Sequence, residues 1–143
     1  MTIAPESALI AGILLLSLIT VESGGWLMTR ILRGRVSANR LQTTMYRAGH
    51  AHAGVLLVLS LAILALSGAM ALPPVLLWFA RVGVPIAAIL MPAGFFLSVT
   101  GRNPQEPNRL MVLVWIGATV LALALLTGGV GLVAGAVNGF AGR

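Results

Sequence analysis

Four long apolar runs, separated by short polar or proline-marked breaks, organise the chain. They cover about Ser7 to Met28, Met45 to Leu72, Val75 to Val99 and Leu110 to Val137. Each reaches the roughly 20 residues an α-helix needs to cross the hydrocarbon core of a bilayer. The first break, ILRGRVSANRLQTT, is the longest polar stretch; the second is Pro73-Pro74; the third is GRNPQEPNR, from Gly101 to Arg109. Strict apolar–polar alternation is absent, which argues against a membrane β-barrel. The pattern predicts an all-α fold: one transmembrane domain over residues 1–143, an integral membrane four-helix bundle.

Composition supports this class. Of 143 residues, 59% are hydrophobic and 8% charged, against about 25% charged in a soluble domain. Absence of cysteine removes disulfides, thiolate metal sites and thiol nucleophiles. A net charge of +6 raises the question of nucleic acid. The basic residues are all arginines gathered between the apolar runs, so topology accounts for them and nucleic acid is not an expected partner.

Arginine counts in short loops set orientation. The first loop and its flanks hold Arg30, Arg33, Arg35, Arg40 and Arg47, and the third loop holds Arg102 and Arg109. The opposite side has Arg81 and Arg143. Loops one and three are therefore expected in the cytoplasm and both termini outside, in a bacterial plasma (inner) membrane. A cleaved signal peptide is the rival reading of the first run. It lacks a basic n-region, begins with Pro5 and Glu6, and has no A-x-A site before the arginines.

Helices in lipid associate through small residues that let backbones approach. The fourth run carries Thr127, Gly131, Gly135 and Gly139 at four-residue spacing, a stripe that seats either a helix of the same chain or another subunit. Ala8 with Gly12 and Gly49 with Ala53 are lesser pairs. In the third run Pro85 and Pro92 are expected to bend the helix.

Ionisable groups inside a span are functional candidates because placing them there is costly. Glu22 lies in VESGGW, and Tyr46, Arg47, His50 and His52 lie in YRAGHAHAG. Counted inward from the first loop at about 1.5 Å per residue, Glu22 reaches a depth like that of the histidines, so a carboxylate–imidazole pair is expected. On the helical wheel Tyr46, His50 and Gly54 share a face, Arg47 lies beside His50, and His52 points about 200° away from it. Two histidines so placed cannot chelate one metal from an intact helix, which needs i, i+3 or i, i+4 spacing.

Four readings stay open for this cluster: interhelical hydrogen-bond glue; a haem or divalent-metal ligand site completed by another subunit; a proton or ion relay; and acid–base catalysis. The last lacks a second carboxylate, a Ser-His-Asp order and a phosphate loop. Near the outer side, Arg81 is expected to snorkel outward toward Glu6, beside an aromatic belt of Trp78 and Phe79, with Trp26 as the inner belt. Arg33, Arg35, Arg40 and Arg81 are candidate lipid-headgroup contacts. Asn138 reads as a cap.

YRAGHAHAG, the long apolar helix after it, MPAGFFLSV and PNRLMVLVW resemble small four-helix integral membrane proteins of uncharacterised function, over the chain from Tyr46 onward. The resemblance implies a fold and no activity. HAHAG also resembles the histidine-bearing helices of membrane haem proteins, which offer histidines from different helices; the third and fourth runs contain none. The expectation is a non-enzymatic subunit or accessory partner of a larger membrane complex, contacting lipids and other membrane subunits or further copies of itself. The alternative is a haem or metal binder, or a proton-coupled carrier, using Glu22 and His50 or His52.

Overall fold

A computed structural model of the protein describes residues 5–142. Four helices follow one another: α1 (Pro5–Leu32), α2 (Arg40–Leu66), α3 (Pro74–Leu97) and α4 (Val112–Ala141). A 3-10 turn at Ser67–Ala69 prolongs α2, and another at Arg109–Met111 leads into α4. All four helices are long and apolar enough to cross a membrane. The protein is an all-α, integral membrane four-helix bundle. Consecutive helices pack as antiparallel neighbours. The α1–α2 and α3–α4 loops, with Arg33, Arg35, Arg40, Arg102 and Arg109, therefore lie at one end. Arg143, counted for the opposite end, is outside the described residues.

Local chemistry sets the helix ends. At the end of α1, Gly34 adopts φ +68°, and its N–H donates to the Ile31 carbonyl while Arg35 N–H donates to that of Arg30, both near 3 Å. This is the paired closure a left-handed glycine permits. Helix α2 begins five residues before its apolar run, because Asn39 and Gln42 form a reciprocal capping box. Pro74 occupies the first turn of α3, where no N–H is needed. Helix α3 continues unbroken through Pro85 and Pro92.

Burial is uneven. A third of the most apolar stretch of α2 and of α3 is buried (33% each), against 17% in α4 and 6% in α1. Helices α2 and α3 are thus central, and α1 lies against α2 with most of its surface turned outward. Inward positions repeat at steps of three, four or their sum of seven: Gly49, Leu56, Ser60 and Ile63 on α2; Ala80, Val84, Ala87, Met91 and Gly94 on α3; Val114, Gly117, Ala124, Gly128 and Gly131 on α4. That 3.5-residue spacing is the left-handed packing of coiled coils, which small residues tighten in membranes.

The α3–α4 seam admits nothing larger than glycine at three levels. A Cβ at Gly83 would stand 2.6 Å from that of Ala124, one at Gly117 2.6 Å from Met91, and one at Gly94 2.7 Å from the Val114 backbone nitrogen.

The α4 stripe has an occupant within the chain. Leu72 lies over Gly131, the Ala69 carbonyl occupies the space beside Gly135, and Ala71 N–H donates to the Gly131 carbonyl at 3.0 Å. Gly131 and Gly135 thus seat the turn between α2 and α3. Thr127 returns its hydroxyl to the Leu123 carbonyl at 2.8 Å, and Gly139 meets nothing within 4 Å. Of the lesser pairs, Gly49 packs tightly against Phe95 and Phe96, whereas a Cβ added at Gly12 would meet nothing within 4 Å among the described residues.

Candidate functional site

The polar side chains of YRAGHAHAG are divided between two neighbouring helices. At about 100° per residue, Gly49 marks the face of α2 that meets α3, and Tyr46 and His52 stand on either side of it. Tyr46 stacks on Phe96 with ring centroids 5.6 Å apart and an interplanar angle of 27°. His52 lies 5.0 Å from the Phe95 ring. The missing side chain at Gly49 admits both phenylalanines: a Cβ there would stand 2.9 Å from Phe96.

His50 turns the other way, onto α1. Its imidazole fills a notch at Gly24 and Gly25, where added Cβ atoms would lie 3.0 Å from Nδ1 and 3.7 Å from Nε2 respectively. Tyr46 and His50 are therefore parted, although the wheel puts them on one face; a 40° difference in direction suffices when two helices flank that face. His50 and His52 serve different neighbours.

His52 has one nitrogen committed. Nδ1 lies 2.7 Å from the Ala48 carbonyl. A carbonyl only accepts, so Nδ1 carries a proton and donates, and Nε2 makes no hydrogen bond among the described residues. His52 is half-buried, as is His50.

Glu22 joins neither imidazole. The seating of His50 against Gly24 and Gly25, and of Val21 beside Gly54, where an added Cβ would lie 3.9 Å from it, align the two helices so that residue 22 stands level with about residue 52 or 53. The depths match as the sequence indicates, but the directions do not: Glu22 is exposed on α1, about 80° around the helix from the line of Leu14, Val21 and Gly25. Among the described residues it has no hydrogen-bond or ion-pair partner. Its surroundings on α1 are apolar: Leu15 is 56% exposed, Ile19 66% and Trp26 63%. Nearby hydroxyls are satisfied within the helix, Thr20 donating to Ser17 and Ser23 to Thr20, both at 2.6 Å. Arg30 caps the Trp26 ring at 4.7 Å, and Arg47 is exposed on α2.

Side-chain direction deepens the anomaly. Cα–Cβ bonds tilt toward a helix N-terminus. On α1 that points Glu22 away from the nearer, arginine-rich end; on α2 it points Arg47 toward it. The two therefore diverge, and Arg47 does not reach back to Glu22. Among the described residues no group of three or more His, Cys, Asp or Glu side chains gathers to hold a metal.

Two further polar sites went unremarked in the sequence pattern. Asn39 not only caps α2 but donates from Nδ2 to Asn103 Oδ1 at 2.9 Å and to the Pro104 carbonyl at 2.6 Å. Gln42, 8% exposed, donates to the Val99 and Gly101 carbonyls at 3.2 Å each. These two amides clasp the arginine-bearing loops together; Asn39 and Gln42 at capping-box spacing were the signal in the sequence. At the opposite end Arg81 donates from Nε to Ser67 Oγ at 3.0 Å, and Ser67 donates to the Leu64 carbonyl at 2.8 Å. Arg81 is thus held by the end of α2 and not by Glu6. Of its belt neighbours, Trp78 is exposed, while Phe79 turns inward to the α3–α4 core. Asn138 is not the cap of α4: Gly142 takes that position, and its N–H donates to the Asn138 backbone carbonyl at 3.2 Å.

Compared with protein-family models, curated proteins and solved structures, the chain matches none.

Proposed function

We propose that this integral membrane protein is a non-enzymatic subunit or accessory partner of a larger membrane assembly. In this reading it sits in a bacterial plasma membrane with loops one and three in the cytoplasm, where Arg33, Arg35 and Arg40 meet anionic lipid headgroups. One observation carries the reading. Helix α1 contributes few residues to the core, and in the middle of its outward apolar surface stands a carboxyl group without a partner in the chain. Inside a bilayer such groups face a bundle interior, a water-filled cavity or a partner. The described residues of this chain supply none of these to Glu22, so the missing contact belongs to another transmembrane element.

The test is the mass of the particle extracted from native membranes in mild detergent. An assembly larger than one chain, which shrinks to a single chain when Glu22 is replaced by Leu, is the expected result. A monodisperse single chain from native membranes, unaltered by that substitution, would overturn the proposal.

A ligand-binding reading rests on a separate observation: His52 has Nδ1–H held by Ala48 and no hydrogen bond to Nε2 among the described residues, the arrangement by which proteins orient an imidazole toward a metal or haem iron. A Soret band or stoichiometric metal in the purified protein, lost on His52→Ala, would establish it, and a colourless, metal-free protein would dismiss it.

A further inference from the structure

We infer that the element docking on Glu22 is a second copy of this chain, and that the carboxyl of Glu22 in each copy pairs with Nε2 of His52 in the other. The inference rests on the assembly reading above and names its partner.

Three features converge. The first is chemical complementarity. His52 keeps its Nδ1–H for the Ala48 carbonyl, which leaves Nε2 as the free position; Glu22, at that level on α1, has no hydrogen-bond partner among the described residues. A carboxyl group and an imidazole nitrogen hold one proton between them, whether it resides on oxygen or on nitrogen. Each thereby satisfies the other's hydrogen-bonding capacity where water does not.

The second is depth. The alignment of α1 with α2, fixed by the Gly24–His50 and Val21–Gly54 contacts, puts Glu22 and His52 level along the bundle. Two copies inserted in the same orientation therefore present the two groups at one height. No arginine does so well. Arg47 is closer to the loop by about five residues, roughly 7.5 Å at 1.5 Å per residue, and its stem tilts further away. Arg30 is engaged on Trp26.

The third is placement. In an antiparallel pair the flank of α1 bearing Glu22 continues the outward face of α2. His52 stands at the other border of that face, where α2 meets Phe95. Between the borders the exposed residues of α2 are small: Ala51, Val55, Val58 and Ala62, again at steps of four and three. Two such faces related by a two-fold axis along the membrane normal let the α2 helices approach and bring both Glu22–His52 pairs together. This is the self-complementary contact that closed dimers require.

The absence of cysteine in the chain makes the test direct. Two differently tagged full-length copies, one with Glu22→Cys and one with His52→Cys, are expressed together and oxidised in isolated native membranes. The expected result is a disulfide-linked dimer carrying both tags, at least tenfold more abundant than with Leu9→Cys in place of Glu22→Cys. In detergent, Glu22→Gln keeps a donor for Nε2 and keeps the dimer, whereas Glu22→Leu weakens dimerisation by about tenfold, the scale of two interhelical hydrogen bonds in a membrane. If Glu22→Cys is captured by a different protein and not by the His52→Cys copy, the self-pairing is overturned while the assembly reading stands. If no cross-link forms at either position and the native particle is a single chain, both are overturned.

Discussion

The imidazole of His50 rests directly on the backbone of α1 at Gly24, so closely that a single added methyl group would stand 3.0 Å from Nδ1. This contact fixes how far α1 slides along α2, and with it the level of Glu22. Gly24→Ala should loosen α1 from the bundle, whereas in the background of His50→Ala the same change should be nearly neutral. A double-mutant cycle on unfolding by sodium dodecyl sulfate is expected to give a coupling of about 0.5–3 kcal/mol. Simple additivity of the two effects would show that the ring and the glycine do not touch.

The two distal glycines of the α4 stripe should behave oppositely. At Gly135 a Cβ would run into the Ala69 carbonyl, while at Gly139 it meets nothing. Gly135→Ala is expected to destabilise the fold by about 1–3 kcal/mol through overpacking. Gly139→Ala should stay within about 0.5 kcal/mol. Equal effects in the same unfolding assay would mean that the stripe does not seat the α2–α3 turn.

Asn39 has two separable roles. Asn39→Ser retains an oxygen for the helix cap but gives up the donors to Asn103 and Pro104; Asn39→Ala gives up both. Amide exchange over residues 101–108 should accelerate in both variants. Faster exchange in the first turn of α2 is expected only in Asn39→Ala, together with a stability loss of about 0.5–2 kcal/mol for the cap.

Ser67→Ala withdraws from Arg81 the hydroxyl that accepts its Nε–H. A hydrogen bond to a charged group contributes about 1.5–3 kcal/mol, and a part-buried guanidinium loses more than a neutral side chain would. The variant should therefore unfold more readily, and Arg81→Met should recover part of the loss in the Ser67→Ala background. If Ser67→Ala alone leaves the unfolding curve unmoved, Arg81 is solvated from outside and the bond is incidental.

The amino-acid order by itself determined the four apolar helices and the breaks between them. Runs of this length with so few charges have one stable solution in lipid, since a helix satisfies every backbone hydrogen bond within its own segment. It also determined the equal depth of Glu22 and His52, because depth along a helix is counted residue by residue. Direction was only partly legible. The wheel separated His50 from His52 but joined Tyr46 to His50, because it measures angles on α2 and contains nothing about where α1 and α3 stand. The expected Glu22–imidazole pair failed for the same reason: Glu22 is level with its candidates but turned outward. Glycine spacing on α4 announced a close approach without naming what approached, and at Gly131 and Gly135 the α2–α3 turn fills it. Such contacts join residues far apart in the chain through packing that small side chains permit but do not specify. Tertiary structure alone decided which polar groups are satisfied within one chain, and it turned Glu22 to the outer surface of α1, where it has no hydrogen-bond partner among the described residues.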